Sequence, residues 1–165
     1  MDKLRLVLFP ECNRNCEGCC NKDWDVTNLP IAESYKDYKV IMLTGGEPML
    51  RPELIKKVCQ DIRSENKDCK IILYTAKTEG LIYMIQYLDG LTLTLHSPDD
   101  FHKFYVLDNQ MSNLRHMDDF SLRVNVFKEA GVIDQRLNCN WRIKPDMEWI
   151  DNCPLPDGEV LMRLK

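Results

Sequence analysis

LRLVLFPECNRNCEGC, residues 4–19, sets a short apolar run directly against three spaced cysteines. Leu4 to Phe9, apolar apart from Arg5, has the length of a strand in a parallel sheet. Pro10 closes it, because it has no N–H to donate onward. Cys12, Cys16 and Cys19 then follow as C-x3-C-x2-C, a spacing that lets three thiolates from one loop close on a single centre.

Outward from this stretch the pattern repeats as short β-rich runs separated by helical ones. The strands expected after the first are Val40 to Leu43, Lys70 to Tyr74, Leu91 to His96, Leu122 to Phe127 and a sixth around Asn140 to Ile143. Helices are expected at Ile31 to Tyr38, at Pro52 to Arg63, at Glu79 to Leu88 and over part of Phe101 to Asp118. In the second of these, Leu54, Ile55, Val58, Cys59 and Ile62 fall on one face, and Gly90 ends the third. Such alternation defines an α/β class with a parallel sheet. Six β units are too few for a closed eight-stranded barrel, so the expectation is an open, partial (β/α)6 barrel of parallel strands. It fills one domain, 1–165, with a core over 1–144 and residues 145–165 as a C-terminal cover or tail.

The composition narrows the function classes. With 44% hydrophobic and 29% charged residues, the chain is neither disordered nor membrane-embedded in character. Twenty-two Lys and Arg against 26 Asp and Glu leave a net charge of -4, which shows no dedicated nucleic-acid-binding surface. Leu4 to Phe9 is too short for a membrane span or signal sequence, so no membrane partner and a cytoplasmic location are expected. There the eight cysteines would stay reduced, which favours metal binding or burial over disulfides.

Cys20 is adjacent to Cys19 and cannot easily reach the same metal. A zinc loop would need its fourth ligand from Cys59, Cys69, Cys139 or Cys153; Cys59 reads as a buried small hydrophobe on a helix's apolar face, and the other three have no ligand-like spacing. Three cysteines instead leave one iron of a [4Fe-4S] cluster open, which is what a catalytic centre requires. Gly45-Gly46-Glu47-Pro48 leaves the second strand, and by itself such a run is a turn.

Together, the cysteine loop after strand one and this turn after strand two resemble the radical S-adenosylmethionine (SAM) superfamily. The resemblance implies a partial barrel of that superfamily's type, and cluster ligands Cys12, Cys16 and Cys19. It also implies that SAM chelates the open iron while the Gly45 to Pro48 turn receives its methionine ammonium. On this reading Gly45 and Gly46 leave room for the ligand and Glu47 adds negative charge near it. Gly18 stands where many superfamily members carry an aromatic that packs on adenine.

Further SAM contacts are expected at the ends of later strands. Thr75 and Ser97 read either as ribose or carboxylate ligands or as hydroxyls satisfying a turn. Asn125 faces the ligand cavity or bonds a nearby backbone, and Arg142 pairs with a carboxylate or is simply exposed. His96 faces the site or serves as a structural histidine; His102 and His116 stand in no motif. No catalytic residue beyond the cluster is indicated.

Cys16-Glu17-Gly18-Cys19-Cys20-Asn21-Lys22-Asp23-Trp24 is most similar to the loop of anaerobic ribonucleotide reductase activating proteins, although Cys20 replaces the aromatic usual there. This implies hydrogen abstraction from a glycine of a glycyl radical enzyme partner. The other readings are modification of a small molecule, nucleobase or peptide, as in 7-carboxy-7-deazaguanine synthase, and a non-enzymatic zinc-binding interaction module. The radical chemistry implies a one-electron donor of the flavodoxin or ferredoxin type, because the chain shows no second cysteine cluster or flavin motif.

Overall fold

Leu6, Leu43, Leu73, Leu91 and Leu122 lie side by side on successive strands, and Met162 extends the row past Leu6. The computed structural model that shows this describes residues 2–115 and 117–165; His116 lies outside them. The strands are β1 (Lys3–Val7), β2 (Val40–Thr44), β3 (Lys70–Thr75), β4 (Gly90–Leu95), β5 (Ser121–Phe127), β6 (Arg142–Met147) and β7 (Glu159–Arg163). They form one all-parallel sheet in the order β6-β5-β4-β3-β2-β1-β7.

Because side chains alternate along a strand, the sheet has two unlike faces. The row from Met162 to Leu122 and its neighbours Leu4, Ile41, Ile71, Leu93 and Val124 belong to one apolar core. Two helices cover that face. In α2 (Pro52–Glu65), Pro52 opens the first turn and Ile55, Val58, Cys59 and Ile62 are buried, the spacing of a single helical stripe. In α3 (Asp100–Met111), Phe104, Leu107 and Met111 are buried. Each such side chain contributes about 1.5–3 kcal/mol through the water it leaves. The opposite face carries Arg5, Thr44, Tyr74, Thr94 and Asn125, which wall a cavity.

Seven strands replace the six-unit barrel expected from the sequence. Residues 145–165 are no mere cover: they complete β6 and supply β7, which pairs with β1 on the far side of the sheet. That pairing joins the last strand to the first, so sequential reading could not find it. β6 tolerates Pro145 because it is an edge strand, where a missing N–H costs no ladder bond.

Two expected helices are also absent. In residues 31–38 the backbone is held open by other partners. Asn66 Nδ2 donates to the Tyr35, Lys36 and Tyr38 carbonyls, Glu65 accepts from Ser34 and the Tyr35 N–H, and Ala32 pairs with Arg163. Residues 79–88 form two short 3-10 turns, Leu81–Tyr83 and Ile85–Tyr87, the first entered through left-handed Gly80 (φ 77°). No helix among the described residues is long and apolar enough to cross a membrane.

Buried Asp108 fixes the approach to β6. Its carboxylate accepts from Asn138 N (2.7 Å) and Nδ2 (3.0 Å), Cys139 N (2.9 Å) and Trp141 Nε1 (2.9 Å). Burial pushes this carboxyl's pKa up, but the four donors outweigh it and hold it below the usual carboxylate range.

Candidate functional site

The cysteine loop leaves β1 and folds back over the carboxyl ends of the strands, where parallel α/β sheets place their ligands. Its backbone turns through Cys19 N to Cys16 O (3.3 Å) and Lys22 N to Cys19 O (2.9 Å), and one helical turn, α1 (Cys20–Asp23), ends it. Arg14 fastens the middle of the loop. Its guanidinium makes a two-pronged ion pair with Asp100 (3.0 and 2.6 Å) and donates to Ala76 O (3.3 Å). Asp100 also accepts from the His96 and Ser97 N–H groups (2.8 and 3.0 Å), so a single carboxylate joins the loop to the start of α3.

Gly45 to Pro48 is locked to the same loop from below. Gly46 N donates to Phe9 O (2.8 Å) and Glu47 N to Glu11 O (2.9 Å), while Asn21 Nδ2 donates to Gly45 O. A side chain at Gly45 (φ 137°) would place its Cβ 2.5 Å from Phe9 O, and one at Gly46 would collide with Glu11 O. The glycines are therefore required by the close approach of β1's exit, before any ligand is considered. Glu47 is 2% exposed, with its carboxylate taken by Met49 N (2.9 Å), Ala76 N (2.9 Å) and the Thr75 hydroxyl. It braces the turn instead of presenting free charge to the cavity. Pro48 starts a 3-10 turn, Pro48–Leu50, in which Pro48 and Met49 are buried.

Cys12, Cys16, Cys19, Gly45, Gly46, Glu47, Thr75 and Asn125 line one cavity. Among the described residues, Asn125 Oδ1 is the buried side-chain oxygen or nitrogen without a hydrogen-bond partner, an acceptor that a ligand donor would satisfy. His96 forms part of the same wall, stacked on Phe127 (4.9 Å) and Trp149 (5.6 Å). Burial, then the Arg14 charge, pushes its pKa down to about 4, so the ring is neutral at physiological pH. Burial and the neighbouring Cys19 push the Cys16 thiol up.

The remaining expected site residues lie elsewhere. Gly18 borders an adjoining cavity beneath Trp149, whose ring occupies the space any side chain at position 18 would need. Ser97 points its N–H at Asp100 and does not line the main cavity. Arg142 begins β6 at the amino end of the sheet, beside Phe120 and Trp141, and so stands away from the site. Sequence reading missed Arg14, Asp100 and Trp149. Arg14's place between two cysteines was the available signal for it; the positions of Asp100 and Trp149 depend on tertiary contacts alone.

Cys20 and Cys153 form a disulfide across 133 residues, with Cα atoms 5.3 Å apart, correcting the expectation that all eight cysteines remain reduced. Cys59 and Cys69 are buried in the core and Cys139 donates to Asp108 O. None of these supplies a fourth ligand to the loop.

The three loop thiols stand around the cavity with Cys12 exposed and accepting from the Arg14 N–H (3.4 Å). Among the described residues no three His, Cys, Asp or Glu side chains are arranged to hold a metal ion. The donor set fits a [4Fe-4S] cluster: three soft thiolates on one loop and, among the described residues, no fourth ligand to close the last iron.

A loop of three thiols on the ligand end of a parallel sheet defines an iron-sulfur α/β protein. Residues 4–91 match the model of the 4Fe-4S single cluster domain, just over half of the chain, and the chain belongs to that family. No curated protein matches it.

Proposed function

We propose that this is a radical SAM enzyme, with Cys12, Cys16 and Cys19 as cluster ligands and the Gly45 to Pro48 turn as the seat of the methionine moiety. The observation that carries the reading is the cavity shared by the three cysteines and the glycine turn, in a family whose domain is found in radical SAM proteins. When bound, the reduced cluster supplies the electron that cleaves SAM to methionine and a hydrogen-abstracting 5′-deoxyadenosyl radical.

The chain's own groups suit a cationic sulfonium ligand. Arg14's charge is matched by Asp100, and neutral His96 adds none. The Gly45 carbonyl has a second lone pair beside the one Asn21 uses, so it can accept an ammonium N–H. Asn125 Oδ1 accepts from a hydroxyl or amine of the ligand. With Cys59 and Cys69 buried, Cys139 half-buried against Asp108 and Cys20 paired with Cys153, the electron comes from a separate flavodoxin- or ferredoxin-type donor.

The substrate proposed is a glycine in a glycyl radical enzyme such as anaerobic ribonucleotide reductase. Asn21 and Trp24 are engaged in holding the loop, through Gly45 O and Cys153 O. Their agreement with the activases therefore speaks for shared loop architecture, and the partner reading rests on the loop pattern as a whole.

Purified without oxygen, the protein is expected to be brown with about four irons per chain. Reduced and given SAM, it is expected to release 5′-deoxyadenosine and methionine. Cys16→Ala should abolish both while leaving the far-ultraviolet circular dichroism intact. A colourless, zinc-loaded protein that ignores SAM would overturn the reading. With an anaerobic reductase present, a glycyl signal in electron paramagnetic resonance supports the partner; deoxyadenosine release driven by a small molecule, without that signal, moves the substrate to that class.

A further inference from the structure

Residues 148–158 join β6 to β7 without regular secondary structure, and three contacts hold them to the cysteine loop. Trp149 lies against Gly18 and packs on Phe127 (4.4 Å) and His96. Trp24 Nε1 donates to Cys153 O (3.2 Å). Cys153 is bonded to Cys20.

Little else restrains this segment. Ile150 is 65% exposed and Trp149 38%, and the ion pair of Glu148 with Lys128 is on the surface. Asn152 (φ 60°) and Cys153 (φ 36°) are consecutive non-glycine residues in the left-handed region, which L side chains rarely adopt. A backbone held this way with so little burial needs a tether, and the disulfide is the strongest one present.

We propose that Cys20–Cys153 is a redox-operated clasp that sets access to the cysteine-lined cavity. Oxidised, it holds Trp149 against Gly18 and keeps residues 148–157 over the loop. A dithiol, small or carried on a protein, opens it by exchange. The dithiol gives up two electrons and two protons and becomes a disulfide, and Cys20 and Cys153 are left as thiols. The left-handed turn at Asn152 and Cys153 then relaxes, and Trp149, which walls both cavities beside Cys16, withdraws. The inference needs neither cluster nor SAM.

The test uses the full chain without cluster, before and after dithiothreitol. In the oxidised protein, peptide mapping should find Cys20 linked to Cys153. After reduction, amide exchange over residues 148–157 and maleimide labelling of Cys16 should each quicken about tenfold. Cys153→Ser should show both fast rates without reductant. Should that variant misfold, the oxidised and reduced wild-type pair decides alone. Absence of the linked peptide, or equal exchange and equal Cys16 labelling in the two states, would overturn the proposal.

Discussion

On the helix-covered face of the sheet, the row from Met162 to Leu122 meets in register without needing a polar partner. At the carboxyl end, Arg14, Asn21 and Glu47 hold their neighbours by hydrogen bonds to particular atoms. The first region tolerates exchange of one apolar side chain for another of similar volume. The second depends on geometry and loses a partner whenever one donor or acceptor is removed. Stability and site assembly are thus largely separable, and substitutions can be chosen to disturb one without the other.

The largest loss of stability is expected from Ile62→Ala, which empties a fully buried position of α2. Chemical denaturation should show about 2–5 kcal/mol lost, while iron bound per folded chain stays unchanged. Loss of iron binding in the chains that remain folded would break the separation just drawn.

Glu47→Gln touches both regions, because the carboxylate is buried yet braces the turn. Removing its charge weakens hydrogen bonds worth about 1.5–3 kcal/mol each. Thermal unfolding should fall by several degrees and cluster reconstitution should slow together.

Asp108→Asn tests a polar hub that lies away from the site. The wild-type carboxyl has its folded pKa held below the unfolded one. Its stabilisation is therefore full above the unfolded value of about 3.9 and is lost as pH falls through the lower folded value. The variant should be about 1–3 kcal/mol less stable at neutral pH. That gap should shrink toward about pH 3, with iron content equal throughout.

Arg14→Ala should cost the least stability, about 1 kcal/mol, because the side chain is only partly buried. Its larger effect is expected on reconstitution, where iron per chain should drop several-fold. Arg14→Lys should recover part of it, since one ammonium cannot reproduce the two-pronged contact. Full iron loading of Arg14→Ala would show that the loop positions itself unaided.

Much of this was legible in the sequence because it is local. Strand periodicity marked β1 to β5 within a residue or two, and the apolar stripe of α2 emerged from its spacing. The cysteine loop and the glycine turn were visible as motifs, and their meeting at one cavity followed from their places after strands. What escaped was non-local. Residues 31–38 read as a short helix in isolation, but Asn66, Glu65 and Arg163 claim their backbone. β7 is recognisable only beside β1, and Cys153 gains meaning only where the chain returns to Cys20.

The pairing of β7 with β1 also bears on how the chain comes off the ribosome. β1 emerges well before β7, so one of its edges stays bare until residues 159–163 follow, long after β2 can have docked on the other. For that interval the nascent chain exposes an unpaired strand edge, the kind of surface that recruits neighbouring chains. Lys3 and Arg5 both lie on β1, and Arg5 waits for Glu159, so positive charge guards the opening until the strand that closes it brings the matching carboxylate.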